Sequence, residues 1–145
     1  MDWQRVDDDV FLRLDQGEEI HTAIQSLAEH GITTAAITSG IGRVRDIEFG
    51  FLDSTGIYQT VIHTGPMELI STQGNLAPSS DGPFTHIHSV FSDDNHVVHG
   101  GHLVTATIEV VAEIHLRVLN SQSDDPMERV KTENDFVRLS FCNLR

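Results

Sequence analysis

The stretch "THIHSVFSDDNHVVHGGHLVTATIEVVAEIHL", residues 85–116, decides the fold because it reads as two strands joined by an acidic loop. Successive side chains of a strand point to opposite faces of the sheet. Even positions from Val104 to Val118 are apolar, whereas the odd positions are mostly Thr, Glu, His and Arg. This period of two predicts a long strand with one face against a core, and it places His102 on the apolar parity.

One helix is predicted near the N-terminus. Apolar residues recur at helical spacing from Ile20 to Ala28. Asp15 and Glu18 have the spacing of a capping box, and Gly31 stands where a glycine ends a helix. The histidines at positions 21 and 30 are therefore expected at the edge or end of this helix, exposed to solvent.

Strands joined by turns are predicted for most of the remaining chain, because its short runs are rich in Ile, Val, Thr and Phe. Residues 54–56 predict a hairpin connection, residues 78–83 a loop and residues 136–144 a last strand. One helix among roughly seven or eight strands indicates an α+β fold built on an antiparallel sheet. The length fits one domain spanning residues 1–145.

A metal site is the chemistry that the histidines favour. In an extended segment His86 and His88 project from the same face, with Cα atoms about 6.5 to 7 Å apart. His102 opens the next strand, so a hairpin-like return would bring it alongside them, and Gly100 and Gly101 would permit close backbone approach. Three imidazoles with one open position are typical of catalytic zinc sites. Imidazole also suits nickel, iron or copper, so these residues leave the element open.

Other interpretations of the histidines remain open at this point. An isolated His-x-His on a strand is more often structural or incidental than a ligand pair. His96 and His99 lie in a polar loop and are expected to be solvated, while His63 is expected at the end of a strand. No Ser or Cys stands in a nucleophile motif, and Cys142 is expected to pack as a small hydrophobic residue.

Few other residues offer acid, base or anion-binding chemistry. Glu68, Glu109 and Glu113 are candidate acids or bases, but parity places the last two opposite His102 unless a β-bulge resets the register. The segment "SGIGRVRD", residues 39–46, lacks the lysine of a phosphate-binding loop and the dinucleotide fingerprint. A tight turn between strands is therefore favoured there over an anion-binding loop.

Charge and cysteine content restrict the partners and the compartment. The formal net charge of −13 repels phosphate backbones, so nucleic acid is not expected as a partner. A single cysteine cannot form an intrachain disulfide, and the acidic start of the chain does not resemble a signal peptide. No run approaches the roughly 20 apolar residues that cross a bilayer. These features predict a cytoplasmic protein without a membrane partner.

The sequence resembles the PPC domain family, named for plants and prokaryotes. The similarity spans nearly the whole chain and is most specific in "GPMELISTQGNLAP", in the His-x-His and in the following Gly-Gly-His. The resemblance implies an α+β fold around an antiparallel sheet, a homotrimer and a metal held by His86, His88 and His102. Plant members of the family carry AT-hooks, whereas this chain has no Arg-Gly-Arg-Pro segment.

Two functional hypotheses follow from these observations. In the first, the protein is a homotrimer that binds a divalent transition metal, zinc first and nickel or iron as alternatives, and acts on or senses a small-molecule ligand. In the second, it is a transcription-related regulatory module that binds DNA or a protein partner, and its histidines are structural. Neither hypothesis identifies a reaction or a catalytic residue, because similarity of fold does not establish function.

Overall fold

The computed structural model describes residues 1–119, 127–133 and 136–141, and most of them lie in one antiparallel sheet. The strands are β1 (Asp2–Val6), β2 (Asp9–Asp15), β3 (Ala35–Leu52), β4 (Tyr58–His63), β5 (Met67–Ser79), β6 (Gly82–Ser92), β7 (Val98–Val118), β8 (Met127–Lys131) and β9 (Val137–Phe141). The four longest strands pair in a closed ring, β7–β3–β5–β6–β7, in which every pairing is antiparallel. Closure leaves these four strands without a free edge inside the ring.

The remaining strands extend the sheet on both sides of the ring. The pair β1–β2 is attached to β7, the strand β4 pairs with β3, and the hairpin β8–β9 joins β5 through a parallel bridge. The expected antiparallel sheet is thus present, and it accounts for most of the fold. Among the described residues, no helix is long and apolar enough to cross a membrane.

The predicted helix is shorter than its sequence pattern suggests. The helix α1 spans Ile20–Gln25 and continues as a 3₁₀ turn over Ser26–His30, which ends at Gly31 with φ of 79°. The residue at the N-cap is Glu19, whose carboxylate accepts hydrogen bonds from two backbone N–H groups of the first turn. The helix start predicted from the capping box of Asp15 and Glu18 is therefore wrong by one turn, although the Glu18 carboxylate does accept a hydrogen bond from the Asp15 N–H.

The face predicted for His102 is wrong because β7 contains a β-bulge. Glu48 and Phe49 of β3 pair with Thr105 and Leu103, so one extra residue, Val104, is left between them on β7. Leu103 is consequently buried in the core although it stands at an odd position. His102 therefore lies on the face opposite the core, because neighbours along a strand point to opposite sides.

The central segments also differ from the turns that the sequence predicted. Residues 39–46 lie within the single long strand β3, so the tight turn expected there is wrong. The hairpin at residues 54–56 is confirmed: the Gly56 N–H donates to Asp53 O, and Gly56 has φ of 81°. The loop expected over residues 78–83 shrinks to a short turn, since β5 ends at Ser79 and β6 begins at Gly82.

Candidate metal centre

Two adjacent strands bring three histidines together. His86 and His88 project from β6, and His102 on β7 lies directly opposite His88 in the antiparallel register. The ring centroids are 5.1 to 5.3 Å apart, and one nitrogen of each ring lies within 4.8 Å of the others. Nitrogens that bind one zinc ion at 2.0–2.1 Å in a tetrahedron lie ~3.4 Å apart. Small rotations of the rings would therefore suffice to place all three on one ion.

The hairpin between β6 and β7 sets this geometry. Its turn is closed by hydrogen bonds from the Asp93 N–H to Val97 O and from the His96 N–H to Asp93 O. Gly100 allows β7 to approach β6 closely, since a Cβ added there would lie 3.0 Å from Ser89 O. The hairpin return and the close approach predicted from the sequence are thus present in the structure.

The environment of the site favours neutral imidazoles, which are the form that binds metal. Burial, the positive charge of Arg129 and the neighbouring histidines lower the pKa of His86 to about 4. Burial is the main cause that lowers the pKa of His102, and the charges of His88 and His21 lower it further. Desolvation acts in this direction because it penalises the charged imidazolium.

The three rings open into a pocket of about 720 Å³. Its other walls are mainly apolar and are formed by Phe51, Leu52, Phe84, Phe136 and Val137. The Tyr58 ring packs edge-on against His102 with centroids 6.2 Å apart, over Gly50, where any side chain would collide with it. Burial and nearby Glu48 raise the pKa of Tyr58, so its hydroxyl stays a hydrogen-bond donor at neutral pH.

The loop histidines do not join the cluster. His96 is exposed in the turn with φ of 62°, as expected for a solvated position. His99 belongs to β7 rather than to the loop, and its Nε2 lies 3.3 Å from Asp93 Oδ2. His63 ends β4 as expected, and its ring packs against His99 with centroids 4.7 Å apart.

The glutamates considered as acids or bases lie away from the pocket. The β-bulge places Glu109 and Glu113 on the same outward face as His102, against the parity prediction, yet neither lines the pocket. Glu109 instead forms an ion pair with Arg45 Nε at 2.8 Å. Glu68 pairs with Arg43 at 2.5 Å, so neither arginine of residues 39–46 is left for an anion.

Two polar residues near the site were missed by the sequence analysis. His21, expected at the solvated surface, is largely buried, and burial lowers its pKa. Its Nε2–H donates to Leu103 O, and its Nδ1 accepts from the Thr85 hydroxyl, which in turn accepts from Gln25. The second residue is Arg129 on β8, which no motif marks because its neighbours become known only from long-range strand pairing.

Comparisons with known proteins show which proteins this chain resembles. No curated protein matches the sequence. A plant- and prokaryote-conserved (PPC) protein of Pyrococcus horikoshii is 28% identical, with a TM-score of 0.80 and coverage of 99% of this chain and 96% of that one. A metal-containing protein of Archaeoglobus fulgidus is 30% identical, with a TM-score of 0.78 and 99% coverage of both chains.

A further structure shows the fold alone. A candidate DNA-binding protein of Bacteroides thetaiotaomicron has a TM-score of 0.86, with coverage of 97% of this chain and 96% of that one, but is only 18% identical. Residues 1–120 match the family described as the Plants and Prokaryotes Conserved (PCC) domain, which is the family that the sequence resembles. This chain therefore belongs to the Plants and Prokaryotes Conserved domain family.

Proposed function

We propose that this protein binds a divalent transition metal through His86, His88 and His102. Zinc is the first candidate, and nickel or iron is the alternative. The observation that carries this proposal is the convergence of three imidazole nitrogens within 4.8 Å at the mouth of a pocket. Three protein ligands leave one coordination position, which would face the pocket and hold water or a small-molecule ligand. The metal-containing relative from Archaeoglobus supports this assignment.

A bound metal would act there as a Lewis acid or would lower the pKa of a bound water. The surrounding residues support both an enzyme and a sensor. The apolar walls restrict water, and the Tyr58 hydroxyl offers a hydrogen bond beside His102. Among the described residues, no carboxylate lines this pocket, so a general base would have to come from the ligand or from a water that the metal would activate.

We further propose a cytoplasmic homotrimer. The hairpin of β3 and β4 exposes several large apolar side chains, namely Phe51, Leu52, Ile57, Val61 and Ile62. Large apolar side chains exposed together in one hairpin indicate an interaction surface. Light scattering at micromolar concentration should report three chains per particle, and a monomer would contradict the proposal. The single cysteine fits a reducing compartment.

The regulatory alternative, a module that binds DNA or a protein partner, has less support from the residues. A DNA-binding surface requires clustered cations. In the part of the chain that the structure describes, Arg43 and Arg45 are both paired with carboxylates. The similar structures described as candidate DNA-binding proteins are at most 20% identical, so they support the shared fold alone.

Metal analysis of single variants tests the proposal. Protein purified without a histidine tag should contain about one metal ion per chain after mild chelation and reloading. Replacing His86, His88 or His102 with alanine should remove most of the metal. The matched controls His96→Ala and His99→Ala should retain it, because neither ring joins the cluster. Equal retention in all five variants, or loss only in the two controls, would overturn the assignment.

A further inference from the structure

The guanidinium of Arg129 is a buried cation that forms no ion pair with the described residues. Its side chain is only 6% exposed, and among the described residues no carboxylate lies within ion-pair distance of it. Burying an isolated charge is costly unless it is paired and hydrogen-bonded. In a chain with a net charge of −13, a positive group kept free of acidic partners is unexpected.

The hydrogen bonds of Arg129 are incomplete. Nη2 donates to Asn75 Oδ1 at 2.5 Å, and Nη1 makes a long contact of 3.5 Å with Val137 O. The buried Nε has no hydrogen-bond partner in the described part of the chain. A guanidinium carries five N–H donors in a planar fork that matches carboxylate and phosphate oxygens. One N–H of each terminal nitrogen therefore lacks an acceptor among the described residues, and an anion would supply the missing acceptor.

This guanidinium lies beside the histidine cluster. Asn75, its hydrogen-bond acceptor, is paired in register with His86. The guanidinium also lies 5.5 Å from the centre of the Phe84 ring, and Phe84 projects from the same face of β6 as His86. Arg129 lines a cavity of about 250 Å³ that shares Phe84 and Val137 with the histidine pocket. The two cavities therefore adjoin at these two side chains.

We propose that Arg129 binds the anionic group of the ligand that occupies the histidine pocket. The ligand class is a small molecule with an apolar body and one carboxylate or phosphate. Its body would contact the apolar walls formed by Phe84, Phe136 and Val137, while its anionic group pairs with the guanidinium. The inference rests on the proposed function for the identity of the pocket, but the Arg129 contact does not require the metal.

The other charged side chains of the smaller cavity do not explain Arg129. Asp81 lines the same cavity, but its carboxylate pairs with Lys131 Nζ at 3.0 Å, and both side chains are largely exposed. A purely structural arginine stacked on Phe84 is the competing explanation. It predicts that replacing Arg129 changes stability but not the preference of the pocket for anions.

The test measures binding of benzoate, phenyl phosphate and benzamide to metal-free protein by calorimetry or NMR titration. Benzamide is the neutral counterpart of benzoate, and removing the metal prevents either anion from binding to it. Because hydrogen bonds between charged groups are stronger than those to a neutral amide, at least one anion should bind about tenfold more tightly than benzamide, a difference of about 1.4 kcal/mol. Whichever of the two anions shows the larger preference identifies carboxylate or phosphate as the natural group.

Three variants assign that preference to Arg129. Arg129→Met should abolish it and Arg129→Lys should retain part of it, whereas Arg138→Met, which removes an exposed cation from β9, should leave it intact. No preference in the wild-type protein, or an unchanged preference in a folded Arg129→Met variant, would overturn the proposal. If Arg129→Met does not fold, the anion preferences of the wild-type protein and of Arg129→Lys test the proposal instead. Zinc content of the same variants after reloading with metal reports separately on the histidine site.

Discussion

Replacing Gly74 with alanine should distort the strand that carries two of the three histidines. Gly74 on β5 pairs with Ile87, which lies between His86 and His88 on β6. A Cβ at position 74 would lie 2.0 Å from His86 O, about 1 Å closer than real Cβ atoms approach any neighbour. The obstructing atom belongs to the backbone, so no side-chain rotation can relieve the contact, and β6 must move away from β5.

The expected cost is large for a single methyl group. Overpacking a well-packed site typically costs 1–3 kcal/mol, and a backbone obstruction places Gly74→Ala at the upper end, about 3 kcal/mol. For a chain of this size, 1 kcal/mol shifts the melting temperature by roughly 2–4 °C, so Tm should fall by roughly 10 °C. Because β6 moves, the variant should also retain less metal than the wild-type protein.

The assay is chemical or thermal unfolding of metal-free protein, combined with metal content after reloading. The matched control is Gly65→Ala, since position 65 is exposed and an added Cβ would meet nothing within 4 Å. That variant should stay within about 0.5 kcal/mol of the wild-type stability. If Gly74→Ala were as stable as Gly65→Ala and bound metal normally, the close contact between β5 and β6 would not be needed to position the histidines.

Three further predictions concern ionisation, burial and charge. The folded-state pKa of His86, about 4, lies below that of the unfolded chain, near 6.5. Metal-free protein should therefore lose stability as pH falls from 6.5 to about 4, because the unfolded chain binds the proton first. Unfolding curves from pH 7 to 4 measure this loss, and a steeper pH dependence in His86→Asn than in the wild-type protein would contradict the prediction. Replacing His21 with alanine should cost about 1–3 kcal/mol, because Thr85 and Leu103 O lose their partners; an unchanged Tm would show that His21 is effectively solvated. Generic duplex DNA should not bind near physiological salt, given the net charge of −13, and a salt-dependent gel shift at micromolar protein would refute that expectation.

Local sequence determined the grouping of the three histidines. The side-chain period of a strand places His86 and His88 on one face, and the short acidic loop between β6 and β7 forces a hairpin return to His102. Both features depend only on neighbours in the chain, so a single sequence is sufficient to predict them. The resemblance to the family rests on the same local motifs, and the match over residues 1–120 confirms it.

The three-dimensional pairing of distant strands decided the remaining features. The β-bulge at Val104 arises from the register between β3 and β7, and it turns His102 away from the core. The walls of the pocket, the burial of His21 and the position of Arg129 all come from segments far apart in the sequence. Periodicity shows which face of one strand is apolar, but it carries no information about the partner strand or its register. That register is fixed only when the ring of strands closes around a shared core.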